Sequence, residues 1–146
     1  MHQRRKAREV ALQVLYTLDI LESNITEVID LFWKNFEASQ EARDFSTMLI
    51  EGTWDHRHEI DDLIASCSEH WSLPRMSKVD KAILRMAVFE LQFCPDIPPK
   101  VTLNEAIDLG KLYGSENSGA FINGILDALY GKLRKLPEDQ DSGNAG

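Results

Sequence analysis

Four cations, Arg4, Arg5, Lys6 and Arg8, crowd the first eight residues with no acid among them. Arg5, Arg8, Leu12 and Tyr16 follow one another at steps of three or four, so a helix places them in one stripe. A guanidinium fork pairs with phosphate and stacks on bases, and a phenol ring offers a face to an unpaired base. Together these residues fit either contact with a single-stranded nucleic acid or a solvated basic helix start with Tyr16 partly buried. Cations at a helix N-terminus also oppose the helix dipole, so the cluster calls for a compensating partner.

Other residues capable of chemistry fall short of a site. Glu90 lies in the apolar segment VDKAILRMAVFELQF (79–93), opposite a stripe of Lys81, Arg85 and Gln92. A buried Glu90 needs a partner, and a structural ion pair to another helix is favoured over a catalytic acid. His2, His56, His58 and His70 lack ligand spacing, and Cys67 and Cys94 form no C-x-x-C pair, so core thiols are expected. Asp61 and Asp62 are adjacent and diverge on a helix. No P-loop, dinucleotide fingerprint, H-E-x-x-H or G-x-S-x-G occurs. The chain is expected to be no enzyme and to need no cofactor or metal.

The elements that must hold these residues read as helices throughout. Ala7, Val10, Ala11, Val14, Leu15, Leu18 and Leu21 recur with helical period over residues 4–21. A second helix spans 25–36 behind Asn24, with Val28, Ile29, Phe32 and Phe36 on one face. Ser39 opens a third, with Ala42, Phe45, Leu49 and Gly52 at helical steps. Ile60, Leu63, Ile64, Cys67 and Trp71 continue the pattern, so 40–71 forms one bent helix or two. Leu73-Pro74 then precedes the 79–93 segment, which is apolar around most of its circumference and reads as a central helix started by Ser77. Thr102-x-x-Glu105 matches a capping box for the next helix. Gly110 and Gly124 suggest close helix crossings, and Gly114 suits a helix C-terminus. The last helix carries Ile122, Ile125, Leu126, Leu129 and Leu133.

No stretch alternates with period two. The expected fold is therefore all-α, about seven helices, in one domain over 1–135, with a disordered polar tail over 136–146. The net charge is −8, yet the first eight residues carry +4, which leaves −12 on the rest. An acidic body with one basic corner suits a local phosphate contact and a basic protein partner. No apolar run is long enough to span a bilayer, and the amphipathic start is no signal peptide. A cytoplasmic protein is expected.

The residues also carry a resemblance. The blocks are Arg4-Arg5-x-Ala7-Arg8-Glu9 with Ala11-Leu12-Gln13-x-Leu15-Tyr16, then Asp80-Lys81-Ala82-Ile83-Leu84-Arg85 with Phe89-Glu90-Leu91. Asn104-Glu105-Ala106-Ile107 follows, and then Phe121-Ile122-Asn123-Gly124-Ile125-Leu126-Asp127. In this order, over about residues 4–135, they resemble the NusB family of bacterial transcription antitermination factors. The resemblance implies two packed helical sub-bundles and no catalysis. It implies binding of single-stranded boxA RNA together with the ribosomal protein NusE. It further implies assembly with other Nus factors on elongating RNA polymerase at ribosomal RNA operons.

By the same resemblance, Arg4, Arg5, Lys6, Arg8, Tyr16, Asn117 and Phe121 are RNA-binding residues, and Asp80, Arg85 and Tyr113 belong to the NusE/RNA surface. Gly110 stands where relatives often have alanine. Asn117 stands where an acid is common, which predicts stronger RNA binding than with Asp. A homodimer covering the RNA surface is compatible with this reading. The alternative is a NusB-like RNA-binding module accessory to an RNA-modifying enzyme, and a third reading is a protein-binding scaffold with idle arginines.

Overall fold

A computed structural model describes residues 2–21, 24–35, 37–67 and 76–145, with side chains from Gln3 to Leu133 within them. The helices are α1 (His2–Leu21), α2 (Ile25–Asn35), α3 (Gln40–Asp55), α4 (Arg57–Cys67), α5 (Lys78–Phe93), α6 (Pro99–Tyr113) and α7 (Ser118–Ala145). Among the described residues there is no strand. One group of helices is α1–α3, the other α4–α7, and α5 joins them by packing on α1, α3, α4, α6 and α7.

The central position of α5 follows from its composition. Ala82, Ile83, Leu84, Met86, Ala87, Val88 and Phe89 are all buried, at about 1.5–3 kcal/mol for each large apolar side chain removed from water. Ser77 caps the helix, its hydroxyl accepting from the Asp80 amide at 3.0 Å. Ser39 does the same for α3 through Ala42, and Asn24 accepts from Glu27 ahead of α2.

Residues 40–67 are two helices. The chain breaks at His56 (φ −99°, ψ 11°), whose amide bonds back to Gly52. Trp71, Leu73 and Pro74, like Phe36, lie outside the described residues.

Two local expectations, at Thr102 and Gly124, are corrected. Thr102 does not cap α6: the helix starts at Pro99 behind Pro98, with no side-chain cap, because proline at the first position needs no amide partner. Gly114 closes α6 as its C-terminal cap, as expected, with φ −91° and its amide bonded to Gly110 O. Its requirement is steric, since a Cβ there would meet Ser118 Oγ at 2.3 Å. Gly124 faces open space, whereas Gly110 does mark a tight crossing, a Cβ meeting Ile122 Cδ1 at 2.7 Å. Helix α7 runs from Ser118 to Ala145. A helix already nucleated gains one hydrogen bond for each residue it adds.

Candidate nucleic-acid interface

Helix α1 buries a wider arc than its apolar periodicity suggests. Ala7, Val10, Ala11, Val14, Leu15 and Leu18 are inside, but so are Leu12 at 3% exposure and Arg8 at 3%, while Leu21 is exposed. The stripe of Arg5, Arg8, Leu12 and Tyr16 is therefore covered in its middle and open at both ends.

Arg8 is not part of an RNA-facing arm. Its Nε donates to Glu90 Oε2 at 2.9 Å and its Nη2 to Glu90 Oε1 at 2.7 Å. Thr102 Oγ1 donates to the same carboxylate at 3.0 Å, and Arg8 Nη1 lies 3.6 Å from Glu105. Glu90 is 2% exposed, so this is a bidentate ion pair in the core. It supplies the partner that both Glu90 and the cationic helix start required, and burial at 3% exposure keeps the Arg8 guanidinium out of reach of a phosphate.

Arg85 is corrected in the same way. It is 7% exposed, donates twice to Asp61 at 2.7 Å and reaches Asp19 at 3.5 Å. Burial pushes its pKa down, but the bond to Asp61 and the nearby carboxylates outweigh that and raise it. Arg85 thus ties α5 to α4 and α1 and does not present a surface.

The remaining cations stay outside. Arg4 and Lys6 are exposed, and the Arg4 guanidinium lies over the Phe45 ring at 4.5 Å. Arg5 is exposed but engaged, its Nη2 lying 2.6 Å from Glu105 and 2.8 Å from Asp108.

The other candidate residues converge on two hollows. The first, about 290 Å³, is lined by Leu12, Gln13, Tyr16, Thr17, Phe32, Val79 and Tyr113. It brings α1, α2, α5 and α6 together around two half-exposed tyrosines. Tyr113 donates its hydroxyl to Glu9; that hydrogen bond, then burial and the Glu9 charge, push its pKa up to about 12. The second hollow, about 240 Å³, is lined by Met76, Ser77, Asp80, Ser115, Asn117, Ser118 and Phe121. Asp80 is 8% exposed, and its Oδ1 is buried with no hydrogen-bond partner among the described residues. Val79 lines one hollow and Asp80, the next residue of α5, lines the other.

Aromatic faces beside hydroxyls and amides suit unstacked bases, which are held by stacking and by edge hydrogen bonds. The sequence reading placed Tyr16, Asp80, Tyr113, Asn117 and Phe121 here but missed Gln13, Thr17, Ser77, Ser115 and Ser118. Small polar residues in loops and on helix faces carry no spacing signal of their own. It also missed Glu105 and Asp108 as the partners of Arg5, although an acid four positions into the helix after Val101 was in plain view.

Comparison with known proteins bears on the family of the chain. The "Transcription antitermination protein NusB" of Syntrophus aciditrophicus is 66% identical over 97% of this chain and 88% of its own length. That of Anaeromyxobacter dehalogenans is 49% identical over 90% of this chain and 92% of its own. Among solved structures, NusB of T. maritima superposes with a TM-score of 0.80 at 36% identity, covering 87% of this chain and 89% of that one. A crystal structure of antitermination factors NusB and NusE in complex with dsRNA gives 0.81 at 32% identity, over 90% and 98%. The model of the NusB family matches residues 5–131, and the chain belongs to that family.

Proposed function

We propose that this chain, a transcription antitermination factor by its family, works by holding a short single-stranded RNA of the boxA kind jointly with NusE. The observation that carries the reading is the convergence of Tyr16 and Tyr113 on one hollow and of Asp80, Asn117 and Phe121 on its neighbour. Bases seat against the aromatic rings, while Arg4 and Lys6 on α1 neutralise phosphates. NusE completes the surface, and the pair joins RNA polymerase with other Nus factors. The related complex contains NusB, NusE and RNA together, which supports the joint site.

In this reading the chain performs no catalysis and works in the cytoplasm. No helix among the described residues is long and apolar enough to cross a membrane. Both named relatives are antitermination proteins, which favours this reading over a module serving an RNA-modifying enzyme. Filter binding with a boxA-like RNA and a scrambled RNA, with and without the cognate NusE, tests it. The boxA-like RNA is expected to bind more tightly, and more so with NusE. Equal retention of both RNAs, unaffected by NusE, would refute the proposal.

A further inference from the structure

An acidic clamp holds Arg5 at the surface of α6. Arg5 Nε and Nη2 both reach Glu105 Oε2, at 3.2 and 2.6 Å, and Nη2 also reaches Asp108 Oδ2 at 2.8 Å. Unlike the Arg8–Glu90 pair, this contact lies at the surface: the side chains of Arg5 and Asp108 are 48% and 44% exposed. A guanidinium offers a phosphodiester two donor edges, Nε–Nη2 and Nη1–Nη2, and Glu105 holds the first of them on Arg5. Asp108 takes the other Nη2 hydrogen and so stands on the second edge, the one left for an RNA phosphate.

We propose that Arg5 is an exchangeable phosphate site, occupied in the free protein by Glu105 and Asp108, from which a phosphodiester of the bound RNA displaces Asp108. The inference rests on the RNA-binding reading above. The two acids differ in how firmly they are placed. Glu105 is only 17% exposed and also lies 3.6 Å from Arg8, so it stays and orients the Arg5 side chain. Asp108 has one contact to Arg5 and stands half in water, so it leaves. An exposed ion pair is weak, and the exchange is within reach of a chain already held at Arg4 and Lys6. A lone anion lacks those extra attachments and gains nothing from their effective concentration. Asp108 thus acts as a filter that favours an extended polyanion over single phosphates.

A double-mutant cycle tests this by fluorescence anisotropy of a labelled single-stranded boxA-like RNA, at matched salt. The proteins are wild type, Asp108→Asn, Arg5→Ala and the double variant, each shown folded by its thermal melt. With Arg5 present, Asp108→Asn is expected to tighten binding by about 1.5- to 5-fold, the range an exposed ion pair spans. In the Arg5→Ala background the same change is expected to do almost nothing. Equal tightening in both backgrounds would make Asp108 a source of general repulsion and overturn the proposal. Unchanged or weaker binding by Asp108→Asn would overturn it too. If wild type binds no RNA, the function proposed above fails as well, and the two failures are thereby told apart.

Discussion

Replacing Arg8 by methionine leaves Glu90 as an unpaired charge 2% exposed in the core, with only Thr102 to hydrogen-bond it. Removing one partner of a buried ion pair costs about 3–5 kcal/mol, on the order of 6–20 °C in Tm for a chain of this size. Arg8→Lys keeps the charge but not the fork that spans both Glu90 oxygens, and is expected to lose stability as well. The penalty belongs to the orphaned carboxylate and not to a lost attraction. Arg8→Met with Glu90→Leu and Thr102→Val, which leaves no buried polar group unpaired, is therefore expected to recover most of the loss. Urea unfolding of the single, double and triple variants gives the coupling directly. If Arg8→Met cost less than about 1 kcal/mol, or if its effect simply added to that of Glu90→Leu, the assignment of Arg8 to the core would be wrong.

Further outcomes follow from the outer residues. Arg4→Ala with Lys6→Ala is expected to flatten the log–log salt dependence of RNA binding by about 1.4, at ~0.7 per phosphate on a single strand; binding titrations at several salt concentrations measure it. Asn117→Asp adds a charge to the hollow that already holds Asp80, so boxA-like RNA should bind several-fold more weakly at matched salt, and equal or tighter binding would count against a phosphate nearby. Tyr113 should titrate near 12 by ultraviolet absorbance, and Glu9→Gln should return it toward the ordinary value of 10. Because the folded value is raised, the Glu9–Tyr113 contact supports the fold fully below pH 10, and its contribution disappears as pH rises through about 12. Truncation after Leu136 removes a polar segment and is expected to leave the melting temperature and RNA affinity unchanged.

Periodicity made α1, α5 and α7 legible, because a buried face repeats with the helical turn. It did not reveal how much of each circumference is covered. Arg8 and Leu12 looked like part of an open stripe, and only the approach of α5 and α6 buries them. The need for a Glu90 partner was readable from chemistry alone, but its identity was not, since Arg8 lies 82 positions away. The break at His56 carries neither proline nor glycine, so nothing local marked it. Gly52 was read only as a helical-face residue, yet its missing side chain makes room for the Phe89 ring, which a Cβ would meet at 2.1 Å. Tyr16 was readable from its place on the α1 stripe, whereas Asp80, Tyr113, Asn117 and Phe121 came from the family resemblance, which stands in for contacts that spacing cannot supply.

The most direct test is chemical-shift mapping of the labelled protein with boxA-like RNA and NusE. Perturbations are predicted to gather on Gln13, Tyr16 and Tyr113 and on Ser115, Asn117 and Phe121, with Arg4 and Lys6 beside them. Shifts confined to the outer faces of α3 and α4, with both hollows silent, would contradict it.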